Sequence, residues 1–266
     1  MFTRTNGGST LTVAGDTVLP LARRMLADAD ADTVRRELAE LAGLGRGRVR
    51  LGATPTLCAS LVAETLSIFH TAHPAIELRI TERGSRSLLD ELAGGELDLA
   101  LITTSDAAAA EHFTVTPLLV EELVVVSASS APPLTSAPSI RLADVAALPQ
   151  VAFSPTYDLR DTTDNAYEIA GLIPQIVVEG AEMDAVLRFV ERGIGVAVVP
   201  AMVLLERQGL RSIRLTHPTL TRTISIARVA GLAPTAAVEA MEQTIVRTAT
   251  ALAARLDATV RLASER

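Results

Sequence analysis

Small hydroxyl residues occur at several turns between predicted strands and helices, and these residue types suit the binding of a small polar ligand. A hydroxyl can donate or accept a hydrogen bond, and the first turn of a helix offers free N–H groups and a partial positive charge. An anionic ligand such as a carboxylate is therefore favoured at such turns. The alternative is that each hydroxyl only caps its own helix, although capping is compatible with ligand binding through the backbone N–H groups. The candidate ligand-binding residues are the hydroxyl residues Thr54, Thr56, Ser85, Thr103 and Ser154, together with Pro55 and Met183.

Two charged residues stand at predicted helix starts in the second half of the chain. Arg160 is placed to reach a ligand carboxylate, and the alternative is a solvated surface arginine. Glu182 follows Gly180 and Ala181, at a position where an acidic side chain suits the helix dipole. We interpret Glu182 as a helix cap, with contact to a basic ligand group as the alternative.

Alternating strands and helices position the first group of hydroxyls. Such a βαβαβ order predicts a parallel sheet with right-handed crossovers. Ligands bind such sheets at the carboxyl ends of the strands, which is where Thr54, Ser85 and Thr103 fall. The predicted elements are strand Val49–Ala53, helix Pro55–His70, strand Ile76–Thr81, helix Ser85–Ala93 and strand Leu97–Ile102.

A second unit of the same kind follows. Two apolar strands, Thr114–Leu118 and Glu122–Ser127, are predicted to be antiparallel and to lead into a second lobe. Strand Thr223–Val229 returns to the first lobe, so two crossing segments leave a cleft between the lobes for a small ligand. The other predicted elements are helix Leu142–Leu148, strand Gln150–Phe153, helix Leu159–Ala170, strand Gln175–Glu179, helix Asp184–Glu191, strand Gly195–Val199 and helix Pro234–Leu256.

The start of the chain has a different pattern. Asn6–Ser9 predicts a turn between two short strands, and Thr12 predicts the cap of a long helix from Val13 to about Gly43. Its apolar residues recur every three or four positions, as in a helix that pairs with a copy from another chain. The alternative is a helix packed on its own domain. The apolar positions are Val18, Leu21, Met25, Ala29, Val34, Leu38 and Leu41.

Several segments match a known family pattern in order. The sequence contains LTVAG (Leu11–Gly15) and LPLARRML (Leu19–Leu26), then GRVRLGATPTL (Gly47–Leu57). HPAIELRITERGSRSLLDELAGGELDLALI (His73–Ile102) and VEGAEMDAVLRFVERGIGVAVVPAMV (Val178–Val203) follow. These segments resemble the wing, the linker helix and the two effector-domain lobes of LysR-type transcriptional regulators.

The resemblance implies an α/β, two-lobed, periplasmic-binding-protein-like effector domain preceded by a long linker helix. It implies a wing remnant at 1–12, a dimerisation helix at 13–46 and an effector-binding domain at 47–262. Lobe I would comprise about 47–124 and 228–262, and lobe II about 125–227. The implied function is transcriptional regulation in response to a small-molecule effector, by a homodimer or homotetramer. DNA would be bound only through a winged helix-turn-helix, whose reading helix we expect this chain to lack.

Catalytic and cofactor chemistry finds no support in the sequence. His70 and His73 are three apart, but Pro74 ends their helix, and no nearby carboxylate or cysteine completes a metal site. The sequence neighbours of Cys58 are apolar, which predicts that its thiol is buried and inert. Gly193–Gly195 lacks the third glycine of a dinucleotide fingerprint and more simply ends a helix. We expect no enzyme activity, no metal and no cofactor.

Composition narrows the partners and the compartment. The net charge is −7, and an acidic chain is not expected to bind nucleic acid by itself, because phosphate binding relies on a basic surface. No apolar run reaches the roughly 18 residues that a membrane helix needs. The lone cysteine and the absence of an apolar leader predict a cytoplasmic protein. The alternative function, a solute-binding protein of a transport system, should have a secretion signal or a lipid-anchor cysteine near its start.

Overall fold

A computed structural model describes residues 2–5, 8–12, 14–15, 17–21, 47–104, 112–155, 158–205, 207–256 and 259–263. Near the start, β1 (Phe2–Thr5) and β2 (Gly8–Leu11) form an antiparallel hairpin, as predicted. The Thr12 hydroxyl accepts a hydrogen bond from the Gly15 N–H, which confirms Thr12 as a helix cap. Residues 14–15 and 17–21 are helical, but most of the predicted helix and of the linker 13–46 lies outside the described residues.

Lobe I has the βαβαβ order that the sequence predicted. Its elements are β3 (Gly47–Ala53), helix α1, β4 (Ile76–Glu82), α2 (Ser85–Ala93) and β5 (Leu99–Thr104). β3 pairs in parallel with both β4 and β5. α1 runs without interruption through Pro55–Leu57, a π-type turn at Cys58–Val62, and Ala63–Ala72. The carboxyl ends of the three parallel strands therefore lie at one edge of the sheet.

One long strand, β6 (Phe113–Ala128), follows where two antiparallel strands were predicted at Thr114–Leu118 and Glu122–Ser127. That prediction was wrong. The residues between the two predicted strands, Leu119 to Glu121, include no glycine, asparagine or proline that would reverse the chain. Apolar, β-branched residues continue the extended backbone instead.

Lobe II also alternates strands and helices. β8 pairs in parallel with β9, and a parallel bridge joins Gln150 of β8 to Val196, just before β10. The sequence did not predict β7 and β11, which are a short strand and a strand rich in arginine and serine. The elements are β7 (Ser139–Arg141), α3 (Leu142–Ala146), β8 (Pro149–Phe153), α4 (Asp158–Ile169), β9 (Gln175–Ala181), α5 (Met183–Glu191), β10 (Ala197–Pro200), a 3-10 turn (Ala201–Leu204) and β11 (Leu210–Thr216).

β6 belongs to both lobes. Up to Glu122 it pairs with β12 (Thr221–Val229) and with β13 (Val260–Leu262), and from Leu123 onward it pairs with β10 and β11. β12 in turn pairs with β5 of lobe I. The lobe boundary expected at 227/228 lies inside β12, which pairs with β5 and with β6.

The last helix, α6 (Ala236–Arg255), closes the core of lobe I against α1 and β3. The Thr235 hydroxyl caps it by accepting a hydrogen bond from the Val238 N–H. All five residues of the predicted apolar stripe are buried, and each large apolar side chain contributes about 1.5–3 kcal/mol by leaving water. They are Val238, Met241, Ile245, Thr248 and Leu252. No described helix is long and apolar enough to cross a membrane.

Candidate functional site

The strand ends of the two lobes meet at one short segment of β6. Thr104 ends β5 and pairs with Thr223, which in turn pairs with Val120 of β6. From the other lobe, Pro200 ends β10 and pairs with Leu123. Val120 and Leu123 are three residues apart, about 10 Å along an extended strand. The space between these ends, which we call the crevice, is the predicted position of the ligand.

Thr54 begins α1 at the lobe I wall of the crevice. Its carbonyl oxygen accepts hydrogen bonds from the N–H groups of Leu57 and Cys58, so it occupies the cap position that the sequence predicted. Its hydroxyl, however, makes no capping bond. The residue is only 6% exposed, and the hydroxyl has no hydrogen-bond partner among the described residues. An unpartnered buried hydroxyl is costly, which favours a ligand role for Thr54 over simple capping.

Ser85 and Thr103 are in direct contact, although 18 positions separate them. Their hydroxyl oxygens lie 3.2 Å apart, and the Thr103 N–H donates to the Ser85 oxygen at 3.1 Å. Gly84 is the cap residue of α2, and Ser85 is its first helical residue. The structure thus joins two of the candidates into one polar pair at the ends of β4 and β5.

Thr56 leads to a charged network that the sequence reasoning missed. Its hydroxyl accepts a hydrogen bond from Nη1 of Arg222 at 2.9 Å. Nε of the same guanidinium donates to Oε2 of Glu121 at 2.7 Å. Oε1 of Glu121 accepts the Met202 N–H at 2.6 Å, which reaches into lobe II. The only sequence signal was an acidic residue inside the apolar run of β6, with an arginine on the returning strand.

Three residues singled out by the sequence lie on the lobe II side. Ser154 follows β8 and is half-buried, whereas Met183 is buried and packs in the hydrophobic core. Glu182 is the cap residue of α5 by position, because its carbonyl accepts the Val186 N–H, but its side chain makes no capping bond. The interpretation of Glu182 as the cap residue of this helix is therefore confirmed by its position, although its side chain makes no capping hydrogen bond among the described residues.

Arg160 is neither a solvated arginine nor free for a ligand. Its Nη1 atom donates to the carbonyl of Phe153 and to the carboxylate of Glu179, at 2.9 and 2.6 Å. Its Nε atom contacts the carboxylate of Asp164, one turn further along α4. The side chain is largely buried by these contacts. Arg160 thus fixes the start of α4 to β8 and β9.

Cys58 lies in the first turns of α1, close to the crevice wall. Burial is the main reason why its pKa rises from 9.0 to about 12, and the charge and hydrogen bond of Glu82 add to it. The thiol is therefore protonated and weakly nucleophilic at neutral pH, which agrees with the prediction of an inert cysteine, but the residue is half-buried where a buried one was predicted. No group of three His, Cys, Asp or Glu side chains among the described residues is arranged to hold a metal.

Gly193 and Gly195 allow backbone arrangements that a side chain would hinder. Gly193 has a positive φ of 77° just after α5, and a Cβ on Gly195 would lie 2.4 Å from the carbonyl oxygen of Pro149. The first glycine turns the chain out of the helix, and the second permits close approach to β8. The interpretation of this segment as a helix end is confirmed.

A groove of about 910 Å³ lies between α1 and α5, and Met202 is one of its lining residues. Its charged side chains form ion pairs: Arg188 with Glu191, Arg207 with Asp184, and Glu64 with Arg255, which lies outside the groove lining. The two buried side-chain atoms without a partner in the described part of the chain are Thr54 Oγ1 and Arg222 Nη2, and neither residue lines the groove. The buried side-chain atoms without a partner among the described residues therefore belong to Thr54 and Arg222 and not to the groove.

Comparison with known proteins agrees with this architecture. The family described as LysR substrate binding domain matches residues 42–250. YybE of Bacillus subtilis, an uncharacterized HTH-type transcriptional regulator, is 30% identical over 197 residues, which are 74% of this chain and 66% of that protein. The chain thus spans about two thirds of the length of this relative. A regulator among the relatives favours sensing over the transport alternative.

Solved structures show the same fold. An OxyR C206 mutant of Corynebacterium glutamicum superposes with a TM-score of 0.69 at 24% identity, covering 98% of this chain and 81% of that chain. The effector-binding domain of QuiR in complex with shikimate gives a TM-score of 0.64 at 24% identity, covering 77% of this chain and 98% of that chain. The two-lobed effector-domain fold expected from the sequence is therefore confirmed.

Proposed function

Because this chain belongs to the LysR substrate-binding domain family, we propose that it senses a small anionic metabolite in the crevice and regulates transcription. The observation that carries the proposal is the Thr54 hydroxyl, which is buried at the start of α1 without a partner among the described residues. A carboxylate there would accept a hydrogen bond from this hydroxyl. It would also meet the Thr56 N–H and the positive end of the helix dipole, since Pro55 has no N–H and the N–H groups of Leu57 and Cys58 already bond to Thr54.

Closure of the lobes is the proposed response. Ser85 and Thr103 present a second pair of hydroxyls on lobe I, and Ser154 stands at the end of a lobe II strand. A ligand that contacts both walls binds the closed arrangement better than the open one and shifts the population toward it. We propose that this shift reaches DNA through the helix of residues 13–46. Residues 1–12 would then be the wing of a winged helix-turn-helix, and residues 47–262 a non-catalytic sensor acting in the cytoplasm.

Pairing of copies is proposed through two surfaces. The first is the helix 13–46, which would join two chains as a homodimer. The second is the exposed edge strands β4 and β9, where Ile80 is 40% and Val177 is 47% exposed. Unpaired strand edges with apolar side chains favour association, and pairing there would allow a homotetramer. Ile80→Arg should reduce the mass found by light scattering, and an unchanged mass would remove this second surface.

Calorimetry against a panel of organic acids tests the sensing proposal. Thr54→Val is the informative variant, since it keeps the side-chain volume and removes the hydroxyl. Thr71→Val, at the exposed far end of α1, is the matched control. At least one acid should bind the wild type and the control, and should bind Thr54→Val and Ser85→Ala about tenfold more weakly or worse. No binding by any acid, or equal binding by all four proteins, would refute the proposal.

A further inference from the structure

We infer that Arg222 selects the carboxylate of the ligand, an inference that rests on the sensing function proposed above. Arg222 stands at the start of β12, directly across from Glu121 of β6. Its Nε and Nη1 atoms are engaged by Glu121 and Thr56. Its Nη2 atom is buried and has no hydrogen-bond partner among the described residues. A desolvated guanidinium N–H group without an acceptor is unfavourable, and a ligand oxygen would supply the acceptor.

The surroundings of Nη2 suit an oxyanion. Arg222 bonds Thr56, and two residues earlier Thr54 holds the second unpartnered buried atom. Both threonines lie at the first turn of the uninterrupted helix 55–72, where the Thr56 N–H is the one first-turn donor that does not bond to Thr54. A carboxylate has two acceptor oxygens and can therefore meet Nη2 with one and the Thr54 hydroxyl with the other. A neutral amide offers a single acceptor oxygen and adds an NH₂ group that faces other donors.

Glu121 positions the guanidinium and connects the site to lobe II. It is 0% exposed, and its two carboxylate oxygens are used by Arg222 Nε and by the Met202 N–H. The planar guanidinium is thereby held in one orientation, with Nη2 left over for the ligand. Met202 follows β10 in lobe II. Two hydrogen bonds, from Arg222 to Glu121 and from Met202 to Glu121, would therefore connect a ligand on Arg222 to the backbone of that lobe. Glu121 is thus a positioning residue of the ligand site.

Acetate, the smallest carboxylate that carries a carbon chain, is the probe for the test, and acetamide is its neutral isostere. A probe of four non-hydrogen atoms is expected to bind no better than the millimolar range. Backbone amide NMR signals of Thr56 and Ser85 report binding in the full chain and remain observable in every variant. Arg222→Lys keeps a positive charge beside Glu121 but removes the planar fork. Arg214→Lys is the matched control, because Arg214 pairs with the neighbouring Glu122.

Acetate should shift the Thr56 signal saturably in the wild type and in Arg214→Lys, with Kd values within about twofold of each other. In Arg222→Lys the Kd should rise at least about tenfold, and acetamide should give no saturable shift in any protein. The inference is overturned if acetate at about 100 mM leaves Thr56 unchanged, if acetamide acts equally, or if Arg222→Lys binds acetate like the wild type.

The two proposals can fail separately. If an organic acid binds the wild type and is lost in Thr54→Val, while the acetate series is negative, the crevice remains a sensor and Arg222 is excluded as its anion-selecting residue. If acetate binds through Arg222 but no organic acid distinguishes Thr54→Val from Thr71→Val, the anion site stands and the sensing function is refuted.

Discussion

Replacing Glu121 by glutamine is expected to destabilise the protein by about 3 kcal/mol. Removing one partner of a buried ion pair costs roughly 3–5 kcal/mol, because the other charge stays buried without compensation. Arg222 is 14% exposed and Glu121 is 0% exposed, so water reaches the remaining charge poorly. We expect about 3 kcal/mol, the lower end of this range, because the glutamine carbonyl can still accept one hydrogen bond, from Met202 or from Arg222.

The neighbouring pair provides the control. Glu122 pairs with Arg214, whose side chain is 48% exposed, and exposed pairs contribute at most about 1 kcal/mol. Urea unfolding followed by circular dichroism should therefore separate Glu121→Gln from Glu122→Gln by about 2 kcal/mol or more. In thermal unfolding, the loss of about 3 kcal/mol should lower Tm by roughly 6–12 °C. If the two variants lose the same stability within about 0.5 kcal/mol, burial of the Glu121–Arg222 pair does not raise the cost of breaking it.

Two further residues, Gly195 and Cys58, lie outside the network of Thr56, Arg222, Glu121 and Met202 and give further predictions. Gly195→Ala should lower the free energy of unfolding in urea by about 1–3 kcal/mol, since the new Cβ would lie 2.4 Å from the carbonyl oxygen of Pro149. Gly94→Ala is the control and should be nearly neutral, because its nearest atom would be 3.4 Å away. Equal losses would contradict the close approach of the segment before β10 to β8. Alkylation of Cys58 by iodoacetamide at pH 8 should be about a thousandfold slower than that of a free cysteine and should rise about tenfold per pH unit, because its pKa is about 12. The protonated thiol is favoured by folding, so its contribution to stability should be lost as pH rises from 9.0 toward 12. Fast alkylation at pH 8 would contradict the raised pKa of Cys58.

Elements with a strong periodic pattern were predictable from the sequence. The bounds of α2 were predicted as Ser85–Ala93, and the stripe of α6 from Val238 to Leu252 is buried as expected. Irregular or short elements were not. β13 has only three residues, and β6 was divided because a long apolar run does not show where one strand ends.

The candidate site was predictable only in part, for a physical reason. Thr54, Ser85 and Thr103 follow strands that the alternation of elements makes parallel, so their approach to one edge follows from topology. Glu121 and Arg222 are 101 positions apart on antiparallel strands, and only the register of β6 against β12 places them opposite each other. Register depends on packing of the whole sheet, which local patterns do not contain.

Hydrogen–deuterium exchange of the full chain, with and without the organic acid that binds most tightly, tests the crevice most directly. We expect simultaneous slowing of exchange at Thr54–Leu57 and Thr103–Thr104 in lobe I and at Phe153–Pro155 in lobe II. Protection confined to one lobe, or to the groove walls at Ala63–Ser67 and Asp184–Glu191, would contradict this expectation.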